Sequence, residues 1–468
     1  MNNYYKKKSL NRFQFIKRGV ALRIVDLLVT ITSIILTALF FDLKYFSGFE
    51  LNLLVWLLTY SVYFLMYGEI FELYHISKSY DVYFTVRSIF LTTIFTAITY
   101  IFTPVIAPVL PQSRVEILLF FQAIIWPLLL WRMIYIKMFF YPIFLKKVLI
   151  IGEEKDVEKL IDITSSYSSE YTIVGYISSA IIDSIDDNIQ WYSLNNPLLE
   201  AIVKKEKVGT LIICGKAIKN SFQAYSNDIL KIFKHGVIVI SNNEFQEQLT
   251  KRISKSRLND SFYDYFSYSK YNSDKVYLSF IRVFDILVAL IGLFFLISII
   301  PFIFLINLFL NKGPLFYNQE RVGKHGIIFK IYKLRTMIVG AEQGLPLWAT
   351  KDDLRITPFG KFLRKSRIDE LPQFYNVLKG EMWVIGPRPE RPEFVQLLEE
   401  KLPFYAIRHL IKPGLTGWAQ VEHPYANTVE DQEMKLRYDL YYIRERNFLM
   451  DIKIILKTIN TVLFYKGY

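Results

Sequence analysis

The chain is nearly without cysteine: Cys214 is its single thiol, so no internal disulfide is available and a reducing compartment fits. Histidine is also scarce. The five residues at 75, 235, 325, 409 and 423 are scattered, which argues against a histidine-based metal site. No GxGxxG fingerprint, zinc-finger spacing or RNA-binding signature is present, so the +13 formal charge does not point to nucleic acid. It faces anionic lipid and phosphate instead, because 52% of the 468 residues are hydrophobic and cluster in long runs.

Four apolar segments, roughly 20–41, 51–68, 83–104 and 115–141, are long enough to span a bilayer core of about 20 helical residues. Lys6, Lys7, Lys8, Arg12, Lys17 and Arg18 precede the first, a pattern like a signal-peptide n-region. The run from Val20 to Phe41 is too long for an h-region and no small-residue cleavage site follows, so an uncleaved membrane helix is expected. The loops at 42–50 and 105–114 hold one cation each, whereas Arg132, Lys137, Lys146 and Lys147 close the fourth segment. The positive-inside rule then places both ends of residues 1–145 in the cytoplasm. Pro127 is expected to kink the fourth helix, and its few polar residues argue against a transporter.

Residues 146–250 read as a Rossmann-like parallel α/β domain. Val148-Leu149-Ile150-Ile151 is strand-like and ends at Gly152, a helical stretch runs to about 168, and strand-like runs recur at Thr172–Ile177, Thr210–Ile213 and Val237–Ile240. The turn Gly152-Glu153-Glu154-Lys155 would repel a pyrophosphate, which favours a structural or regulatory role over nucleotide binding. Residues 251–275 are polar and read as a linker. A fifth apolar run, 283–310, contains Pro301 and has basic flanks on both sides. An ordinary crossing disagrees with symmetric flanks, so the expectation is a proline-broken, re-entrant membrane helix.

Ser366-Arg367-Ile368-Asp369-Glu370-Leu371-Pro372-Gln373 sets two adjacent carboxylates among Lys361, Arg364, Lys365, Arg367, Arg388 and Arg391. Cations keep a carboxylate ionised as a nucleophile or metal ligand and suit a phosphorylated substrate. A plainer reading makes Asp369 the N-cap and Glu370 the first turn of a helix that ends at Gly380.

Four further clusters accompany that motif: Gly313–Gly323, Lys333-Leu334-Arg335-Thr336-Met337, Gly386-Pro387-Arg388-Pro389-Glu390 and Lys412–Val421. In this order after a proline-bearing apolar segment, they resemble the bacterial polyprenyl-phosphate sugar-1-phosphate transferases. The catalytic resemblance covers 276–468. The N-terminal helices and α/β domain resemble the long-form members, the undecaprenyl-phosphate galactose or glucose phosphotransferases. The family implies transfer of a phosphosugar from a UDP-sugar to undecaprenyl phosphate, releasing UMP, in exopolysaccharide, capsule or O-antigen synthesis. By the same resemblance Asp369 is the nucleophile of a ping-pong reaction through a phosphosugar-aspartate, and Glu370 helps hold Mg²⁺. Candidate phosphate-binding cations are Arg321, Lys333, Arg335, Arg364, Arg367 and Arg388. Lys333, Arg335 and Arg388 rank first because they lie inside the motifs, while Arg364 and Arg367 contact either substrate or lipid headgroups. Lys412–Gln420 and Asp352-Asp353 read as structural. Family members often carry Ser-Pro at the helix break; here Ile300 precedes Pro301 and the nearest serine is Ser298. The implied location is the bacterial cytoplasmic (inner) membrane, multi-pass, with the α/β and catalytic domains at the cytoplasmic face. The family suggests a homodimer; no residue reads the oligomeric state or the sugar. Two other readings are a membrane-bound nucleotide-sugar dehydratase, which lacks its glycine fingerprint here, and a non-catalytic scaffold of polysaccharide assembly.

Overall fold

The computed structural model describes residues 2–41, 53–75, 82–108, 111, 113–139, 146–167, 171–186, 188–194, 199–214, 222–234, 236–258, 262–341, 353–423 and 428–463. The loop at 42–50, His235 and Asp352 lie outside them. The chain divides into two compact units, Met1–Thr250 and Lys251–Tyr468.

The first unit begins with helices α1 (Asn2–Phe40), α2 (Leu53–Ile70), α3 (Val82–Ile101) and α4 (Arg114–Phe139). Each carries a stretch long and apolar enough to cross a membrane. Their core includes Tyr60, Phe64, Ile89, Tyr100, Phe120 and Ile124. Lipid supplies no contrast with apolar side chains, so polar contacts help specify how such helices pair. Arg132 of α4, assigned by its sequence position to a charged helix end, is in fact buried. Its Nη2 lies 2.5 Å from Asp26 Oδ2 of α1, and Trp131 Nε1 donates to the other carboxylate oxygen at 3.0 Å. Arg23 and Glu69 join α1 to α2 in a second pair.

The α/β part of this unit runs β1 (Lys146–Ile151), α5 (Glu154–Tyr167), β2 (Tyr171–Ser178), β3 (Gln190–Ser193), α6 (Leu199–Glu206), β4 (Thr210–Ile213), α7 (Phe222–Lys234), β5 (Ile238–Ser241) and α8 (Asn242–Thr250). All strand pairs are parallel, in the order β3-β2-β1-β4-β5. This is the doubly wound arrangement with β1 central. The sheet buries Val148, Leu149, Ile150 and Ile151 completely or nearly so, which explains the uninterrupted apolar run of β1. Strand β3, with few aliphatic residues, gave no sequence signal.

The second unit contains α9 (Phe262–Tyr265), α10 (Lys275–Leu310), β6 (Phe316–Val322), β7 (Ile328–Leu334), α11 (Pro358–Lys365), α12 (Gln373–Lys379), β8 (Trp383–Ile385), α13 (Pro392–Lys401), β9 (Gly414–Thr416), α14 (Trp418–Glu422), α15 (Val429–Glu445) and α16 (Phe448–Leu463). The stretch 251–275 does not behave as a tether. Ile253 donates its amide to Arg437 O, Phe262 stacks on Phe404, and Asn272 Nδ2 donates to Ile443 O.

Helix α10 continues through Pro301, so proline does not end it. A proline removes one backbone bond, and an apolar environment still favours the remaining helical ladder. Ser298 donates to Phe294 O at 2.9 Å, one turn before the carbonyl that Pro301 leaves free. Tyr277, Ile281, Asp285, Ala289, Gly292, Leu296, Ile303 and Asn307 are buried at helical spacing along one face. That face meets the unit's own core: Gly292 lies against the Phe374 ring, Asp285 Oδ1 accepts from Val384 N at 3.0 Å, and Ile303 joins Leu334, Phe359 and Leu363. Phe294, Phe302, Phe309 and other large apolar residues line the exposed side.

Candidate active site

The hairpin β6–β7 brings Lys333 to the motif. Alternation along β7 puts Phe329, Ile331 and Lys333 on one face; the first two enter the core, and Lys333 continues that face to Glu370. Asn376 of α12 fixes β7: its Nδ2 donates to Lys330 O at 2.7 Å and its Oδ1 accepts from Tyr332 N at 3.2 Å. Gly360 of α11 lies so close to Thr336 O that a Cβ there would stand 2.0 Å from it.

Asp369 and Glu370 do not open a helix as the capping reading expected. They lie in a 3-10 turn, Ile368–Glu370, entered through Arg367 at φ 59, and α12 starts after Pro372. The left-handed conformation at a non-glycine residue is a local strain held by its surroundings. Gly380 does end α12, with φ 83.

One carboxylate oxygen gathers the cations. Glu370 Oε1 lies 3.0 Å from Arg388 Nη2, 3.3 Å from Lys333 Nζ and 3.6 Å from Arg367 Nη1. Burial would raise the Glu370 pKa, but Lys333, Arg388 and Arg367 outweigh it and hold the carboxyl well below the usual range. Asp369 behaves oppositely. It is 6% exposed, and its Oδ1 has no hydrogen-bond partner among the described residues. Burial and the adjacent Glu370 charge push its pKa up to about 6. The surrounding cations therefore keep only Glu370 strongly acidic.

The other candidates separate. Arg364 Nε donates to Thr336 Oγ1 at 2.8 Å, and its charge is felt at Asp369. Arg321 holds the backbone beside Arg388: Nη1 donates to Pro389 O at 3.1 Å and lies 3.6 Å from Glu390. Arg335 does not join the carboxylates. It is buried, and its guanidinium donates to the carbonyls of Pro314, Met337 and Asn311. It thereby closes the C-terminal end of α10, while Asn311 Nδ2 returns a bond to Arg335 O at 2.8 Å. Asp353 is held by Arg355 at 2.6 Å. Arg408 and Asp439, which no motif signalled, form a buried pair at 2.8 Å behind Arg388.

Among the described residues, no group of three or more His, Cys, Asp or Glu side chains converges on one point. The donors that are present suit a hard cation. Two adjacent carboxylates, one with a buried unpartnered oxygen, meet the Mg²⁺ preference for one or two carboxylates completed by phosphate oxygens.

A family model described as bacterial sugar transferase matches residues 276–465. The chain is 48% identical over 153 residues to the UDP-N-acetylgalactosamine-undecaprenyl-phosphate N-acetylgalactosaminephosphotransferase of Aeromonas hydrophila, covering 33% of this chain and 36% of the relative. It is 41% identical over 160 residues to the UDP-glucose:undecaprenyl-phosphate glucose-1-phosphate transferase of Klebsiella pneumoniae, covering 34% and 33%. The match thus spans about a third of each of these two relatives. It spans 88% of the uncharacterized sugar transferase EpsL of Bacillus subtilis, at 37% identity over 186 residues and 40% of this chain. The family model falls on the unit that holds Asp369 and Glu370, and a relative is matched over 88% of its length at 37% identity, so the chain belongs to the bacterial sugar transferase family.

Proposed function

We propose that the chain transfers a sugar 1-phosphate from a UDP-sugar to undecaprenyl phosphate, the first membrane step of exopolysaccharide, capsule or O-antigen synthesis. The observation that carries this reading is the divided pair: a buried Asp369 with a free carboxylate oxygen beside a Glu370 ringed by Lys333, Arg367 and Arg388. The names of the relatives support the substrate class.

In this mechanism the Asp369 carboxylate attacks the sugar-side phosphorus of the UDP-sugar. The bond from that phosphorus to the bridging oxygen breaks, UMP leaves with the electron pair, and a phosphosugar-aspartate remains. An oxygen of undecaprenyl phosphate then attacks the same phosphorus, expels the Asp369 carboxylate and yields the diphosphate-linked sugar. Anion-on-anion attack is opposed by charge, and Lys333, Arg367 and Arg388 are placed to offset it. Burial leaves the Asp369 carboxylate less solvated than a surface one and raises its pKa, so it is ionised only above about pH 6. Mg²⁺, held by Glu370 with Asp369 adjacent, would neutralise phosphate oxygens.

The same proposal places the protein in the bacterial cytoplasmic membrane, with α1–α4 crossing it and the α/β and catalytic regions on the cytoplasmic face. The two ends of α10 are tied to one compact unit, at Asn307–Gly313 and Asn311–Arg335 on one side and Arg282–Val377 on the other. A crossing helix would separate its flanks by about 30 Å of hydrocarbon. Both ends packing on one unit supports re-entrance; Pro301, which α10 runs through as one helix, is the proposed turning point. Cysteines placed at Val276 and Lys312 should both react with an impermeant reagent from the cytoplasmic side only; labelling from opposite sides would refute it.

Purified full-length protein with Mg²⁺, undecaprenyl phosphate and a panel of UDP-sugars should release UMP with at least one donor. No UMP with any donor would overturn the proposed reaction.

A further inference from the structure

The segment Gly386-Pro387-Arg388-Pro389-Glu390 presents Arg388 to Glu370, yet it has no regular structure and two of its five residues lack an amide proton. It is held from outside. Four successive carbonyls each accept a bond from a different donor. Pro387 O accepts from Gly414 N at 2.9 Å, Arg388 O from Arg408 Nη2 at 2.9 Å, Pro389 O from Arg321 Nη1 at 3.1 Å, and Glu390 O from Val322 N at 2.9 Å.

Arg408 grips the backbone of the very residue whose side chain meets Glu370. It is 5% exposed, and among the described residues its hydrogen bonds and ion pair go to Tyr405, Arg388 O and Asp439, not to Asp369 or Glu370. Its Nη2 also donates to Asp439 Oδ2 of α15 at 2.8 Å, and its Nη1 to Tyr405 Oη at 2.5 Å. A continuous line therefore runs from Asp439 through Arg408 and the Arg388 backbone to the Arg388 guanidinium, 3.0 Å from Glu370 Oε1. A buried ion pair is poor evidence for stability, since well-packed apolar replacements are often as stable. Orientation of a group that meets a reacting phosphate is a better account of this one, because small misplacements there reduce rate strongly.

We propose that Arg408 and Asp439 are positioning residues for Arg388, setting how its guanidinium faces the substrate phosphate. This rests on the proposed transfer reaction. The decisive variant is Arg408→Lys, which keeps a positive charge beside Asp439 but loses the planar guanidinium whose Nη1, on Tyr405 Oη, fixes the Nη2 that donates to both Asp439 and Arg388 O. In the full-length protein its kcat for UMP release should fall about tenfold, with KM for the UDP-sugar changing less than kcat. Arg388→Ala should lose about 100-fold. The double variant should be no slower than Arg388→Ala alone, because the first change acts through the second residue. Hydrogen exchange at the Gly386, Arg388 and Glu390 amides should quicken in Arg408→Lys, while Trp383–Ile385 stay protected.

A wild-type rate in Arg408→Lys, or equal losses on both backgrounds, would overturn the proposal. If Arg408→Lys does not fold, Asp439→Asn is read in the same cycle; if neither folds, the pair is structural and the proposal fails. If the wild-type chain releases no UMP, the transfer reaction fails, and the exchange comparison still decides whether Arg408 fixes this segment.

Discussion

Replacing Asp369 by Asn should stabilise the protein while removing its activity. The carboxyl is buried with one unpartnered oxygen, and its pKa is pushed from 3.8 to about 6, first by burial and then by Glu370. A group whose folded pKa is raised adds stability below its unfolded pKa and loses it as pH climbs through the folded value. The rise from 3.8 to about 6 corresponds to about 3 kcal/mol at ~1.36 kcal/mol per pH unit. Asn keeps the shape without the charge, so Asp369→Asn should exceed wild type by about 1–3 kcal/mol at pH 7.5, or several degrees in Tm. Below about pH 4, where both side chains are neutral, the gap should close. Thermal unfolding in detergent at pH 4, 5, 6 and 7.5, followed by intrinsic fluorescence, measures this. A variant less stable than wild type at pH 7.5, or a gap independent of pH, would refute the reasoning.

Other expectations follow from the same geometry. The first half-reaction, read as UMP release without lipid acceptor, should slow as pH falls through about 6 because the attacking carboxylate is protonated; a flat profile from pH 5 to 8 would contradict it. Arg335→Lys should lower stability by about 2–4 kcal/mol by stranding buried carbonyls, with KM changed little in the folded fraction; a selective KM rise would return Arg335 to phosphate binding. Gly292→Leu should prevent stable folding of the second unit, since even a Cβ stands 2.2 Å from the Phe374 ring, and a normal melt would show that the ring gives way. Asp26→Leu and Arg132→Met should each weaken the detergent-solubilised protein, and their combination should recover most of the loss, because singles strand a buried charge and the double does not; additive losses would show otherwise.

Long-period signals were legible in the sequence. The apolar runs gave α2–α4 within a few residues and the membrane-length part of α1, Gly19–Phe40, but not the start of α1 at Asn2, where the chain is too basic to show an apolar period; the β-branched runs gave β1, β2, β4 and β5. Local polarity misled where tertiary contacts decide. The Tyr/Ser-rich stretch at 251–275 looks like a linker because its anchors, Ile253, Phe262 and Asn272, bond to partners more than 100 residues away. The motifs placed Lys333, Arg367, Arg388, Asp369 and Glu370 together, but residue type could not show which arginines are engaged by carbonyls. Arg335 and Arg321 carry the same guanidinium as Arg388, and only the fold reveals that Pro314, Met337 and Pro389 accept from them. Charge proximity also suggested an ionised Asp369, whereas burial and its neighbour raise its pKa. Asp26 and Arg132 are 106 positions apart, so no local pattern joins them.

In the proposed reaction Asp369 carries the phosphosugar between donor and lipid. Purified protein should be mixed with Mg²⁺ and a reactive UDP-sugar without polyprenyl phosphate, quenched rapidly and weighed intact by mass spectrometry. The wild-type protein should gain the mass of one phosphosugar with a matching burst of UMP, and Asp369→Asn should show neither. UMP appearing only when polyprenyl phosphate is present, with no adduct on the wild-type protein, would contradict it.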